Sequence, residues 1–303
     1  MVSMKQVCKF MEMTGLINMH RHKSRRRDYL QNIYIFVQMG LFLLFLLCHM
    51  LNVLTRAVRY FPEFLQTLLE NMVFLYLIIY TAHYQLRYRG LNYFIDQIDN
   101  TFSKADTKII QKYHRLSDFI CAGLITVVCN AVVCLFVETI IPISPDEVEI
   151  RRFVYRTEHP ERKLPVNIRI PFLDETKSWT YEMIYAMLTY VLTMYGVWVG
   201  LLTSMVPITV IHLQGQYEIL CKYILMIGQE HRDYAGNRIF YTNIESNEFV
   251  WEPVKRRPRQ IKMKRILREK TDCYKQNFMR QILRFHQRLI TFQAEVSTLY
   301  SKK

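Results

Sequence analysis

The 303-residue chain is poor in the residues that punctuate or staple a fold. Nine glycines and nine prolines exclude collagen-like or linker material, and seven cysteines are too sparse for a disulfide scaffold. Acidic residues are also scarce, 26 against 40 basic ones, for a formal charge of +14. An apolar share of 51% excludes a disordered chain. The mean hydropathy of +0.01 would suit a basic soluble protein of one large domain or two. Such an average also arises when uncharged apolar blocks and strongly basic blocks cancel, and the spacing of the charges separates the two cases.

Charge is missing in four places. No Asp, Glu, Lys or Arg falls between Asp28 and Arg56, and the centre of that gap reads IYIFVQMGLFLLFLLCHML. Phe64 to Tyr84 is interrupted only by Glu70, a third gap separates Asp118 from Glu138, and a fourth runs from Met183 to Tyr217. A helix needs about 20 mostly apolar residues to cross a hydrocarbon core of about 30 Å. The fourth block, at roughly 50 Å as one helix, exceeds that need, so its end should emerge on one side, with Pro207 kinking it near the exit. Four segments of this length, apolar around their whole circumference, define an all-α polytopic membrane protein rather than a large soluble core. The expected spans are 33–53, 64–84, 118–141 and 182–213. The first 32 residues lack the pattern of a cleaved signal peptide, so the first span should serve as its own insertion signal.

Orientation follows from the basic residues. Seven Lys/Arg precede the first span, six lie in 85–117 and eighteen follow the fourth span, while the connection holding Arg56 and Arg59 has two. Residues 142–180 have seven, matched by seven acids. The positive-inside rule then places 1–32, 85–117 and 214–303 in the cytoplasm and 142–180 outside. The outer loops hold no cysteine and no Asn-x-Ser/Thr acceptor.

After the fourth span, HRDYAGNRIFYTNIESNEFVWEPVKRRPRQ, with Gly236, Pro253 and Pro258 as breakers, reads as a mobile loop. Beyond it Phe278, Ile282, Phe285, Leu289, Phe292, Val296 and Leu299 form a two-per-heptad seam, with Lys275, Arg280, Arg284 and Arg288 lying off it. So narrow a stripe suits packing against helices, from neighbours the four spans do not obviously supply. The cluster Lys255, Arg256, Arg257, Arg259, Lys262, Lys264 and Arg265 suits anionic lipid headgroups or cytoplasmic retention; in a membrane-anchored chain no nucleic-acid partner is expected.

Chemistry is also absent. His20 and His22 fall on different helix faces without a ligand set, and there is no phosphate loop or nucleophile elbow, so neither an enzyme nor a cofactor or metal is expected. The outer halves of the spans offer Glu70, Asn71, Phe74, Cys134, Glu138, Tyr185, Met187, Thr189 and Tyr195. A cavity among them would suit a small, largely apolar ligand; the other reading is ordinary interhelical packing with an interfacial aromatic belt. Glu70 lies inside a span, where an unpaired charge is costly, so it either faces a vestibule or partner, or snorkels to the outer surface.

Several strings resemble the insect odorant receptors. IPFLDETKSWTYEMIYAMLTYVL, with Pro171, Asp174, Ser178, Tyr181 and Glu182, is similar to that family's approach to its fourth helix. HLQGQYEIL, with His212, Leu213, Gly215, Gln216 and Leu220, resembles its cytoplasmic exit. Phe285, His286 and Gln287, followed by Glu295, resemble the start of its fifth helix, and FMEMTGL fits its N-terminus. The resemblance implies seven membrane helices, an internal N-terminus, and tetrameric ligand-gated cation channels of the plasma membrane formed with a co-receptor subunit. It implies a volatile ligand held in the outer halves of helices two, three, four and six, a pore lined by helix seven, and subunit contact through cytoplasmic helix extensions. The seam from Phe278 to Val296 would be part of that contact. Only four of the seven helices are expected here, so these 303 residues alone should give no odorant-gated current.

Three other readings fit parts of the pattern. A G-protein-coupled receptor would place its N-terminus outside, against the basic residues, and would want a cysteine pair. A four-helix scaffold or accessory protein would share topology and seam but bind no odorant. A gustatory receptor shares the topology and differs in its last helix.

Overall fold

The computed structural model describes residues 4–16, 18, 25–86, 97–98, 102–155, 157–171, 173, 175–233, 235–252 and 261–301. His20, His22, Asp174, Pro253, Pro258 and the basic residues at 255–259 lie outside these, as do the side chains of Lys262, Lys264, Arg265 and Leu299. The elements are α1 (Met4–Met13), α2 (Arg25–Thr55), a 3-10 turn (Ala57–Arg59), α3 (Phe61–Leu86), α4 (Thr107–Ile140), α5 (Pro145–Phe153), α6 (Ser178–Leu225), β1 (Arg238–Asn243), β2 (Glu248–Glu252) and α7 (Ile261–Ser301). Four of them, α2, α3, α4 and α6, are long and apolar enough to cross a membrane. The chain is thus all-α and polytopic, apart from one small hairpin. Slightly over half of the apolar stretch of α6 is buried, against almost none of that of α4, so α6 is the central helix. Exposed Leu43, Leu47, Leu69, Phe119 and Val127 form the surface that acyl chains would cover.

Two compact units divide the chain, Val2–Leu91 with Cys121–Met205, and Asn92–Ile120 with Val206–Lys303. The division in α6 falls between Met205 and Val206, one residue short of Pro207, through which the helix continues.

In the first unit, α1 ends in a Schellman turn. Leu16 N–H donates to Met11 O at 2.9 Å and Gly15 N–H to Glu12 O at 3.1 Å, with Gly15 at φ +71°. Three other helices also donate to carbonyls of this turn: Gln31 to Glu12 O, Gln85 to Leu16 O, and Trp198 to Thr14 O. A Cβ on Gly15 would lie 2.5 Å from the Tyr34 ring, so FMEMTGL is a docking motif as well as a helix stop. Gly196 gives α6 a similar close approach to α4, where a Cβ would lie 2.5 Å from Val132.

The segment between α4 and α6 is fastened by the charges that balance in its sequence. Ser144 caps α5 by accepting from Glu147 N–H. Arg56 pairs with Glu175 at 3.3 Å, whose other oxygen accepts Ile170 N–H at 2.9 Å, and Lys163 meets Glu138 at 2.8 Å. Glu63 accepts from Asn167 and from the Tyr155 hydroxyl. Burial first, then that hydrogen bond and the Glu63 charge, hold the Tyr155 hydroxyl well above the ordinary tyrosine range.

The second unit corrects two expectations. The stretch read as a loop contains an antiparallel hairpin, with Ile239 opposite Trp251 and Tyr241 opposite Phe249. Its strands, RIFYTN and EFVWE, are rich in aromatic and β-branched residues, and Asn247 supplies the positive φ that the turn needs. Gly236 and Asn247 punctuate a hairpin rather than mark unbroken loop. The seam on α7 also finds neighbours within this chain. Phe278, Ile282, Phe285 and Leu289 form one core with Ile219, Leu220 and Tyr223 of α6 and with Ile244. The partner helix is α6 itself, continued twelve residues beyond the expected end of its span.

Candidate functional site

A stripe on α2 organises the first unit. Gln38, Phe42, Phe45, His49 and Asn52 recur at helical spacing, and each is essentially inaccessible. From α6, Tyr195 and Trp198 meet the stripe at Phe42, with ring centroids 4.4 Å away in both cases. From α3, Phe74 lies 5.0 Å from Phe45, 5.5 Å from His49 and 5.1 Å from Tyr195. Edge-to-face and tilted contacts of this kind join the rings of three helices into one aromatic cluster.

Polar atoms are set into the cluster. His49 Nε2 lies 3.3 Å from a carboxylate oxygen of Glu70, and Gln66 donates to the other at 3.0 Å. Tyr190 donates to Gln38 Oε1 at 2.7 Å. Five atoms on these residues are buried without a hydrogen-bond partner: the Tyr195 hydroxyl, His49 Nδ1, both side-chain polar atoms of Asn52, and Gln38 Nε2. Each unmade hydrogen bond costs about 1–3 kcal/mol in a dry interior. Such atoms beside a cluster of rings give the surroundings that hold a mostly apolar molecule carrying one or two hydrogen-bonding groups.

The residues expected from the sequence fall into separate groups. Glu70, Phe74 and Tyr195 share the cluster, linked through His49. Tyr185 and Thr189 form a second group, in which the Tyr185 hydroxyl is 3.2 Å from that of Thr139, and Thr189 donates to the Tyr185 carbonyl. Asn71 is buried on α3, while Met187 is half-buried. Cys134 and Glu138 are exposed, the latter paired with Lys163. The seam residues Phe278, Ile282, Phe285, Leu289 and Phe292 are buried in the second unit, and Val296 is half-buried. Sequence reasoning missed Gln38, Phe42, Phe45, His49, Asn52 and Trp198. For Gln38, His49 and Asn52 a signal was present, as polar side chains recurring on one face of a charge-free stretch of helix. No group of three potential metal ligands occurs among the described residues.

Helices and topology define an all-α polytopic membrane protein. The profile of the 7tm Odorant receptor family matches residues 58–303, so the chain belongs to the odorant receptor family. Its fold is similar to that of the insect olfactory receptor OR5 from Machilis hrabei, with a TM-score of 0.63 at 10% identity, over 98% of this chain and 64% of that one. The same receptor in complex with eugenol gives a TM-score of 0.62, also at 10% identity and over the same shares. The chain thus spans just under two thirds of the length of those receptors. No curated protein matches its sequence.

Proposed function

We propose that this chain is an odorant receptor subunit of the plasma membrane, with its N-terminus in the cytoplasm, that binds a small volatile molecule. With a co-receptor it forms a ligand-gated cation channel in olfactory signalling. The observation that carries the reading is the aromatic cluster of α2, α3 and α6 with its buried, unpartnered polar atoms. A mostly apolar molecule with one oxygen function, as in the volatile phenol eugenol that Machilis hrabei OR5 binds, matches that chemistry.

Within the proposed site Phe74 and Tyr195 supply ring faces and a hydroxyl, and Glu70 orients His49. Asn71, Tyr185, Thr189, Cys134 and Glu138 lie on the helices around it and would shape the approach of the ligand. The seam from Phe278 to Val296 contributes to subunit contact by holding the cytoplasmic bundle in shape, with its exposed neighbours Arg280 and Arg284 available to the partner subunit.

Trp198 makes the test direct, because Trp179 and Trp251, the other two tryptophans, are exposed and replaceable. In a Trp179→Phe, Trp251→Phe background, eugenol and related volatiles should change Trp198 emission saturably in the purified chain. Adding Phe74→Ala should weaken that binding by about 1–3 kcal/mol, the scale for lost apolar contact in a hydrophobic pocket. Saturable binding that Phe74→Ala leaves unchanged would move the site elsewhere, and no binding by any volatile would favour the scaffold reading.

A further inference from the structure

The histidine pair of the second unit plays no part in the proposed ligand site. His114 on α4 and His212 on α6 meet with His212 Nε2 3.3 Å from His114 Nδ1, their ring centroids 4.9 Å apart and their planes at 77°. His212 Nδ1 lies 2.8 Å from Ile208 O. A carbonyl only accepts, so Nδ1 carries the hydrogen, and in the neutral ring Nε2 presents its lone pair to His114. A ring whose second nitrogen donates to a backbone carbonyl is held as metal-bound histidines are held. Both rings are half-buried, within reach of ions from solution.

We propose that His114 and His212 form a two-histidine site for a zinc-class divalent ion, bridging α4 and α6. The distance fits: two bonds of about 2.05 Å whose ends are separated by the observed gap subtend about 107°, near the tetrahedral angle. Binding needs one rearrangement. The His114 proton moves from Nδ1 to Nε2 through solvent, and the hydrogen bond between the rings gives way to two metal–nitrogen bonds, with no net proton released and no redox change. Among the described residues no third histidine, cysteine or carboxylate completes the set, so water fills the remaining positions and the ion exchanges readily. Imidazole donors favour Zn2+ or Cu2+ over Mg2+ and Ca2+. A bound ion would restrain sliding of α4 against α6 where Tyr113 already packs on Gly215.

The test is a metal-buffered ZnCl2 titration of the whole purified chain, alongside His114→Gln, His212→Gln and the control His159→Gln, which lies outside the second unit. The expected result is one ion per chain, lost by more than about tenfold in affinity in either site variant, since even outer-shell partners of a metal are worth that much, and kept in the control. Unchanged zinc affinity in either site variant, or no zinc uptake by the unmutated chain, overturns the proposal. Zinc X-ray absorption of the unmutated chain covers the case of a variant that fails to fold. Two imidazoles with oxygen neighbours support the site, and any sulfur or a third imidazole overturns it.

Discussion

At the scale of single residues, the Tyr195 hydroxyl separates a packing role from a binding role. It is buried and has no hydrogen-bond partner, while its ring touches Phe42, Phe45 and Phe74. If the ring serves only packing, Tyr195→Phe removes an unsatisfied polar atom and should leave thermal stability equal or higher. If the hydroxyl meets a ligand, the same variant should weaken oxygen-bearing volatiles by about 0.5–1.5 kcal/mol, one hydrogen bond, and leave hydrocarbons of the same shape unaffected. Equal affinity for both classes in wild type and variant would remove the hydroxyl from the site. Tyr195 was legible in the sequence as an aromatic in a membrane span. Its partners on α2 were not, because a search for Asp, Glu, Lys and Arg passes over His49, Asn52 and Gln38, whose polar atoms become significant only by burial.

At the scale of elements, the helices were legible and their ends were not. Gaps in charge mark where lipid lies, whereas α4 and α6 continue past those gaps as polar helices that pack in the second unit. The seam on α7 was legible by its spacing, but its partner was not, since the facing residues Ile219, Leu220 and Tyr223 lie where α6 has already left the apolar pattern. The hairpin escaped because its strands are short and sit between turn residues.

The start of α4 offers a measurable case. Asp106 accepts from Lys108 and Ile109 N–H as the helix cap and pairs with Lys222 at 2.5 Å. Burial would raise its pKa, but the Lys222 hydrogen bond, the two backbone donors and the Lys222 charge outweigh it, so the carboxyl is held below its ordinary range. A depressed folded pKa gives stability that is present above the unfolded value of about 3.9 and lost as pH falls through the lower folded value. Asp106→Ala should cost about 1–2 kcal/mol at neutral pH and flatten that acid dependence. Asp106→Asn, which can still cap, should recover most of the loss and none of the pH dependence, as read by thermal unfolding across the acid range. An Asp106→Asn profile that still tracks the wild type in acid would assign the dependence to another carboxylate.

For the whole molecule, orientation turns on which side of the membrane each charge lies. The segments at 1–32, 85–117 and 214–303 carry seven, six and eighteen basic residues, and a long basic tail is a weaker guide to orientation than a short loop. The segment at 142–180 carries seven basic and seven acidic residues; Lys177 pairs with Glu158 within it, while Glu175 and Lys163 pair with Arg56 and Glu138 of the neighbouring elements. The proposed orientation, with the N-terminus inside, puts 142–180 outside. An epitope placed beside the exposed Glu161 should therefore be labelled in intact cells, while one before Met1 and one after Lys303 should need permeabilisation. The reverse pattern would give the chain the orientation of a G-protein-coupled receptor and place His114 and His212 outside. Labelling of both ends and of the Glu161 site in intact cells would mean an even number of crossings on each side of Glu161, so that one of α2, α3 and α4, and α6 as well, would lie in the membrane without spanning it.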